Sequence, residues 1–140
     1  MSKCIGFVTN TTMKTITEDF NRRLEKQGMT RIQWIALYFL NRADKSISQK
    51  QLASLMNIQD SSLARLIDRM ERDGLINRVE NSDDKRVKFL ELTEVGRERI
   101  DELLPLGKHF SDLLLEDITD EELDIFDNIL KKMLNNIKKY

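Results

Sequence analysis

The 140-residue sequence predicts a mainly α fold with a small β-hairpin, an α+β arrangement, in a single domain. Three observations predict it. Apolar residues recur at helical spacing along most of the chain. Two short runs rich in Val, Ile and Phe flank a polar stretch at residues 81–85, as in a hairpin. At three places a Ser or Thr is followed three residues later by Gln or Glu where an apolar pattern opens, the signature of a reciprocal helix cap. With 40% hydrophobic and 34% charged residues, five Gly and one Pro, the composition is that of an ordinary globular domain, neither disordered nor collagen-like.

The elements follow in chain order. Met13, Ile16, Phe20 and Leu24 share one helical face, which predicts an amphipathic helix from about 10 to 27, ended by Gly28. The segment before residue 10 is ambiguous. Thr30 with Gln33 caps a helix over 32–43 whose apolar side chains leave little polar face, so it is expected at the centre of the fold. Ser48 with Gln51 opens a short helix that turns Leu52, Leu55 and Met56 inward and breaks at Asn57. The next helix, over 60–73, is the cleanest: Leu63, Leu66, Ile67 and Met70 fall at i, i+3, i+4 and i+7. Ser61, Ser62, Arg65, Arg69 and Arg72 then project from the opposite arc, and Gly74 stops the helix. Strands are predicted over 76–80 and 86–92. From Thr93 a long helix runs to about 115 through Ile100, Leu103, Leu104, Phe110, Leu113 and Leu114, with a kink expected at Pro105 and Gly107. Thr119 with Glu122 caps a last helix carrying Leu123, Phe126, Ile129, Leu130, Met133 and Ile137.

Charge and composition narrow the function. The net charge is −1, but residues 1–41 carry +3, residues 42–90 carry +2 and residues 91–140 carry −6, so a surface for nucleic acid is expected in the first two thirds. The longest apolar run, residues 35–40, is far short of the roughly 20 residues of a membrane span, and no signal segment opens the chain; a cytoplasmic protein is expected. Cys4 is the only cysteine and His109 the only histidine, which excludes an internal disulfide and a standard structural zinc site, and no cofactor motif is present. Cys4 reads as an ordinary thiol. His109, with Asp112 and Glu116 nearby, reads as a surface or interface side chain. No nucleophile–base pair or phosphate loop is found, and Cys4 and His109 lie on separate elements, so an enzyme is not expected.

Two helices joined by a three-residue turn, the second with a Ser/Arg outer face, followed by a basic hairpin, describe a winged helix-turn-helix. A helix fills the major groove of B-DNA, where Arg can donate a bidentate pair to guanine and Ser can meet base edges or phosphates. A hairpin can reach the adjacent minor groove, which attracts an inserted Arg when narrow. Arg86, flanked by Lys85 and Lys88, is placed for that, and Asp84 can orient its guanidinium. Ser48 and Lys50, at the start of the first helix of the pair, complete the candidate DNA-binding set of Ser48, Lys50, Ser61, Ser62, Arg65, Arg69, Asp84, Lys85, Arg86 and Lys88. A winged-helix module used only for protein contacts is the competing reading, because the fold does not dictate the function.

The run DRMERDGLINRVENSDDKRVKFLELTEVG, residues 68–96, resembles the MarR family of bacterial and archaeal transcription regulators. Asp84, Lys85 and Arg86 match the family's Asp-x-Arg pattern, and Leu92, Thr93 and Gly96 match its Leu-Thr-x-x-Gly close. Asn81 and Ser82 stand where the family usually has Asp-Pro. The resemblance implies a DNA-binding lobe over 30–92 and a dimerisation region over 1–29 and 93–140. It further implies a homodimer that represses transcription from a pseudo-palindromic operator on double-stranded DNA. Helices at 10–27, 93–115 and 120–138 carry more apolar surface than one small winged domain can cover, in keeping with a dimer. In this family a small anionic or phenolic effector often binds between the two regions, and other members respond to thiol oxidation or zinc. Arg31, Trp34 and Tyr38 are the candidate effector-pocket residues here, with Arg42 as a second cation, although core packing explains the aromatic side chains equally well.

Overall fold

The computed structural model describes residues 4–43 and 45–140. Its elements are α1 (Ile5–Glu25), α2 (Arg31–Arg42), β1 (Ile47–Ser48), α3 (Gln49–Met56), α4 (Asp60–Arg72), β2 (Ile76–Glu80), β3 (Lys88–Leu92), α5 (Glu94–Leu114) and α6 (Asp120–Lys139). The mainly α fold with a small wing is as the sequence predicts, and all three capping boxes form. At each one the Ser or Thr oxygen accepts the N–H three residues on, while the Gln or Glu side chain accepts the cap's own N–H.

The first helix begins at Ile5, five residues before the expected start. The hydroxyls of Thr9, Thr11 and Thr15 donate to the carbonyls of Ile5, Phe7 and Thr11, which ties these β-branched residues into the helix despite their weak propensity for it. Within α1 only Phe20 and Leu24 are buried; Met13 is exposed.

A sheet of order β1-β3-β2 replaces the expected two-stranded hairpin. In addition to the antiparallel β2–β3 pairing from Ile76↔Leu92 to Glu80↔Lys88, β3 pairs on its other edge with Ile47 and Ser48. The second wing strand starts at Lys88, not at residue 86, because Arg86 and Val87 bend back onto Asp84. In α3 the buried arc runs through Leu52, Met56 and Ala53, and Leu55, expected inward, lies outside it and is exposed.

Residues 1–107 and 108–140 form two compact units. The core of the first is built from α2, α3, α4, the sheet and the start of α5: Ala36, Leu37, Leu52, Leu63, Ile67, Met70, Ile76, Leu90 and Ile100 are essentially inaccessible. The long helix expected from Thr93 to about 115 forms as α5 and continues through Pro105 and Gly107. Gly107 has a packing role: a Cβ there would meet the indole of Trp34. In the second unit α6 buries no side chain, and Ile125, Phe126, Ile129, Leu130, Met133, Leu134 and Ile137 all face outward. Among the described residues no helix is long and apolar enough to cross a membrane.

Candidate nucleic-acid interface

The position of α4 is set from both ends. Asn57 closes α3 in the left-handed conformation at φ 53°, which Asn tolerates, and this turns the chain sharply before α4 begins at Asp60. Leu63, Ile67 and Met70 are 0% exposed and Leu66 is 2% exposed. Burying four large apolar side chains stabilises the fold by roughly 1.5–3 kcal/mol each, so the helix cannot rotate about its axis without exposing them. Its other arc therefore faces solvent, and Ser61, Ser62, Arg65, Arg69 and Arg72 are all exposed there. Ser62, Arg65, Arg69 and Arg72, with Asp68, line an open depression of about 480 Å³.

The wing is anchored at its base by the Leu-Thr-x-x-Gly close. Thr93 Oγ1 donates to the Gly74 carbonyl at 2.6 Å and accepts the Gly96 N–H at 2.9 Å, while the Thr93 N–H donates to the Leu75 carbonyl at 3.1 Å. Gly96 lies against the Leu75 carbonyl group so closely that a Cβ would fall 2.9 Å from its carbon, which explains why glycine is needed. At the tip, Asp84 grips Arg86 as a fork: Oδ1 accepts from Nε and Oδ2 from Nη2, each at 3.1 Å, and Oδ1 also accepts the Arg86 backbone N–H at 3.0 Å. The Arg86 side chain and backbone N–H together hold the Asp84 carboxyl below its ordinary value of 3.8. The Arg86 side chain is nonetheless 91% exposed, so it is oriented without being covered. Lys85 is exposed beside it, and Lys88 pairs across the strands with Glu80 at 3.5 Å.

Between the wing and the helix pair runs a groove of about 350 Å³ lined by Ser48, Gln49, Lys50, Asp60, Arg86, Val87 and Lys88. The structure thus brings Ser48, Lys50, Arg86 and Lys88 to one concave surface. Ser48 caps α3 with its oxygen as acceptor, which leaves its hydroxyl proton to donate outward. Lys50, Arg65, Arg69 and Lys85 form no ion pair with any described residue, so their charge is available to a polyanion.

One residue that the sequence did not single out holds these parts together. Arg78, in β2, donates from Nε to Gln49 Oε1 at 3.2 Å and from Nη2 to the Ala64 carbonyl at 3.3 Å, and pairs with Asp68 at 2.7 Å and Glu71 at 3.1 Å. It joins α3, α4 and the wing. A lone arginine in an alternating strand has no sequence signature for such a role.

The candidate effector residues Arg31, Trp34 and Tyr38 all lie on α2, at positions i, i+3 and i+7. Trp34 stacks on Tyr38 at 5.3 Å and 11°, meets Phe20 edge-on at 5.3 Å, and donates from Nε1 to the Leu103 carbonyl at 3.1 Å. Tyr38 accepts at its hydroxyl from Arg42 Nη1 at 2.6 Å. Both aromatic side chains are thus occupied by packing. Arg31 lines an open depression of about 390 Å³ at the α1–α2 corner with Thr17, Glu18, Asn21, Arg22, Thr30 and Ile32. Cys4 and His109 are exposed, and Asp112 is taken by Lys108 at 2.8 Å.

A model of the MarR family matches residues 27–87, the span from the α1–α2 corner through the wing tip. Solved structures share the whole fold. The S. aureus MepR–DNA complex is 20% identical and aligns over 96% of this chain and 99% of that one, at a TM-score of 0.89. A mutant of E. coli MarR complexed with operator DNA is 23% identical over 93% of each chain, at a TM-score of 0.82. A MarR-family transcriptional regulator from Silicibacter pomeroyi is 26% identical, covering 96% of this chain and 90% of that one, at a TM-score of 0.75.

Proposed function

We propose that this chain, whose winged-helix lobe is of the MarR family, is a sequence-specific DNA-binding transcription regulator of the cytoplasm, a homodimeric repressor of a pseudo-palindromic operator. In this reading α4 enters the major groove and Arg86 the minor groove. One observation carries it: the arc of α4 opposite its buried stripe presents two serines and three arginines, and a groove that reaches the start of α4 at Asp60 joins Ser48 and Lys50 to a fully presented, pre-oriented wing arginine. Two of the solved structures that share the fold are DNA complexes, which supports DNA as the partner.

The chemistry of each contact follows from geometry. Arg65 and Arg69 carry forked donors that match guanine O6 and N7. Ser61 and Ser62, at the first turn of α4, reach phosphates or base edges, with the helix dipole favouring anions there. Lys50 and Lys85 neutralise phosphates, each adding roughly 0.9 to the slope of log K against log salt. Asp84 keeps the Arg86 guanidinium directed without desolvating it.

The homodimer reading rests on unpartnered apolar surface: the outward side chains of α6, and Ile5, Phe7 and Val8 at the start of α1. A small anionic or phenolic effector that alters the spacing of the two α4 helices would release the operator. Arg31, which no described carboxylate holds, is the cation in the α1–α2 depression that such a ligand would meet.

Selection from random duplexes tests the reading. It predicts enrichment of an inverted repeat with half-sites about one helical turn apart, ~34–36 Å. Recovery of no enriched sequence from a folded, dimeric sample would contradict it.

A further inference from the structure

On helices of this chain, some carboxylates and cations three or four residues apart pair with each other, as Asp19 does with Arg22 and Arg23, Arg99 with Glu102, Lys108 with Asp112, and Asp127 with Lys131, while others, such as Lys14 with Glu18 and Arg97 with Asp101, do not. That is the ordinary behaviour of an exposed helix. On α4 the outward arginines are left unpaired although a carboxylate lies within reach of their spacing. Asp68 lies three residues after Arg65 and four before Arg72, and it lines the same depression as both of them and Arg69, yet none of these arginines pairs with any described residue.

The carboxylates of this stretch are taken by Arg78. Its Nη2 takes Asp68 Oδ1 at 2.7 Å, its Nη1 takes Glu71 Oε1 at 3.1 Å, and its backbone N–H takes Glu71 Oε2 at 3.1 Å. This N–H is free to do so because β2 is an edge strand, paired only with β3. The Nε bond to Gln49 and the Nη2 bond to the Ala64 carbonyl fix the guanidinium so that it cannot follow the carboxylates outward. The Arg78 side chain is 22% exposed, whereas Asp68 and Glu71 are 60% and 42% exposed. The cation is therefore withdrawn from the surface while both carboxylates remain on it.

We infer that Arg78 is a positioning residue that keeps the arginine face of α4 free for DNA by holding Asp68 and Glu71, and this inference rests on the DNA-binding reading above. Without it, Asp68 would turn to Arg65 or Arg72, and two uncompensated carboxylates would face the phosphate backbone. Arg78 supplies specificity indirectly, by leaving other guanidinium groups unpaired.

The test uses the full-length protein. Arg78→Met keeps the packed stem and removes the charge; it is expected to weaken binding to the selected duplex about tenfold or more, the scale of one or two lost ionic contacts. Adding Asp68→Asn and Glu71→Gln to that variant is expected to restore most of the affinity. Asp68→Asn with Glu71→Gln in the presence of Arg78 is expected to bind at least as tightly as wild type, which keeps the question decidable if Arg78→Met fails to fold. Wild-type affinity in a folded Arg78→Met variant, no recovery in the triple variant, or weakened binding by the double variant would each overturn the inference. Guanidinium ¹⁵N NMR of the DNA-free protein separates this from failure of the DNA reading. A restrained Arg78 signal with averaged signals from Arg65, Arg69 and Arg72 is expected, and a restrained signal from any of those three in wild type would refute the holding role even if no duplex bound.

Discussion

Substituting Ala for Gly107 sets two effects against each other, and the structure decides the winner. In the interior of a helix the change ordinarily stabilises by about 0.5–1 kcal/mol, because Gly loses more backbone freedom on folding. Here the added Cβ would lie 2.7 Å from Trp34 Cη2 and closer still to Cζ2. Favourable carbon contacts begin at roughly 3.5 Å, so the indole must retreat by about 1 Å. It has little room to do so: one face is stacked on Tyr38, Phe20 meets it edge-on, and Nε1 is tied to the Leu103 carbonyl of the same helix that carries Gly107. Overpacking of such a site costs about 1–3 kcal/mol, which exceeds the propensity gain and leaves a net loss of about 1–2 kcal/mol. For a chain of this length that corresponds to a melting temperature lower by roughly 3–8 °C at fixed protein concentration. Thermal circular dichroism measures the shift, and emission from Trp34, the only tryptophan, reports the displaced ring. A raised melting temperature with unchanged emission would refute the contact and show that residue 107 behaves as an ordinary exposed helical position.

Other predictions address the wing and the recognition helix. Gly96→Ala places a Cβ against the Leu75 carbonyl, where backbone and not a side-chain tip must move; it should destabilise the protein by more than Gly107→Ala, and an equal or smaller shift in melting temperature would contradict the packing at the wing base. Arg65→Ala should weaken operator binding by about 1–3 kcal/mol and relax base preference at one position of each half-site, as read by competition among single-base variants; unchanged preference would assign Arg65 to phosphate. Because Asp84 is depressed by Arg86, the pair's contribution to stability is present above the ordinary carboxylate value of 3.8 and is lost as pH falls through the lower folded-state value. Carboxyl ¹³C NMR should place the Asp84 midpoint below 3.8 and move it upward in Arg86→Ala, and a midpoint insensitive to that substitution would dissociate the pair in solution.

Much of the fold was legible because its signals are local. Each capping box lies within four residues, and the α4 stripe spans two turns, so the caps, the helix-turn-helix spacing and the outward Ser/Arg arc could be read directly. What was missed depends on distant partners. Ile47 and Ser48 form a strand only because β3 offers an edge, and two residues carry no periodicity. Gly107 reads locally only as a point of bending in a long helix, and its packing against Trp34, which is remote in sequence, has no local signal. Leu55 is apolar yet exposed, because an eight-residue helix buries only the narrow arc that meets α2 and α4. Arg78 is the clearest case: its partners come from α3 and α4, and no spacing in β2 announces them.

The central claim is that α4 and the wing together bind one DNA sequence. Fluorescence anisotropy on the duplex enriched by selection tests it most directly, comparing wild type with Arg86→Ala at two salt concentrations in excess competitor DNA. The account predicts competitor-resistant binding that weakens steeply with salt and is weakened further in Arg86→Ala, most on A·T-rich flanks. Binding that is competitor-sensitive and identical in the two proteins would contradict it.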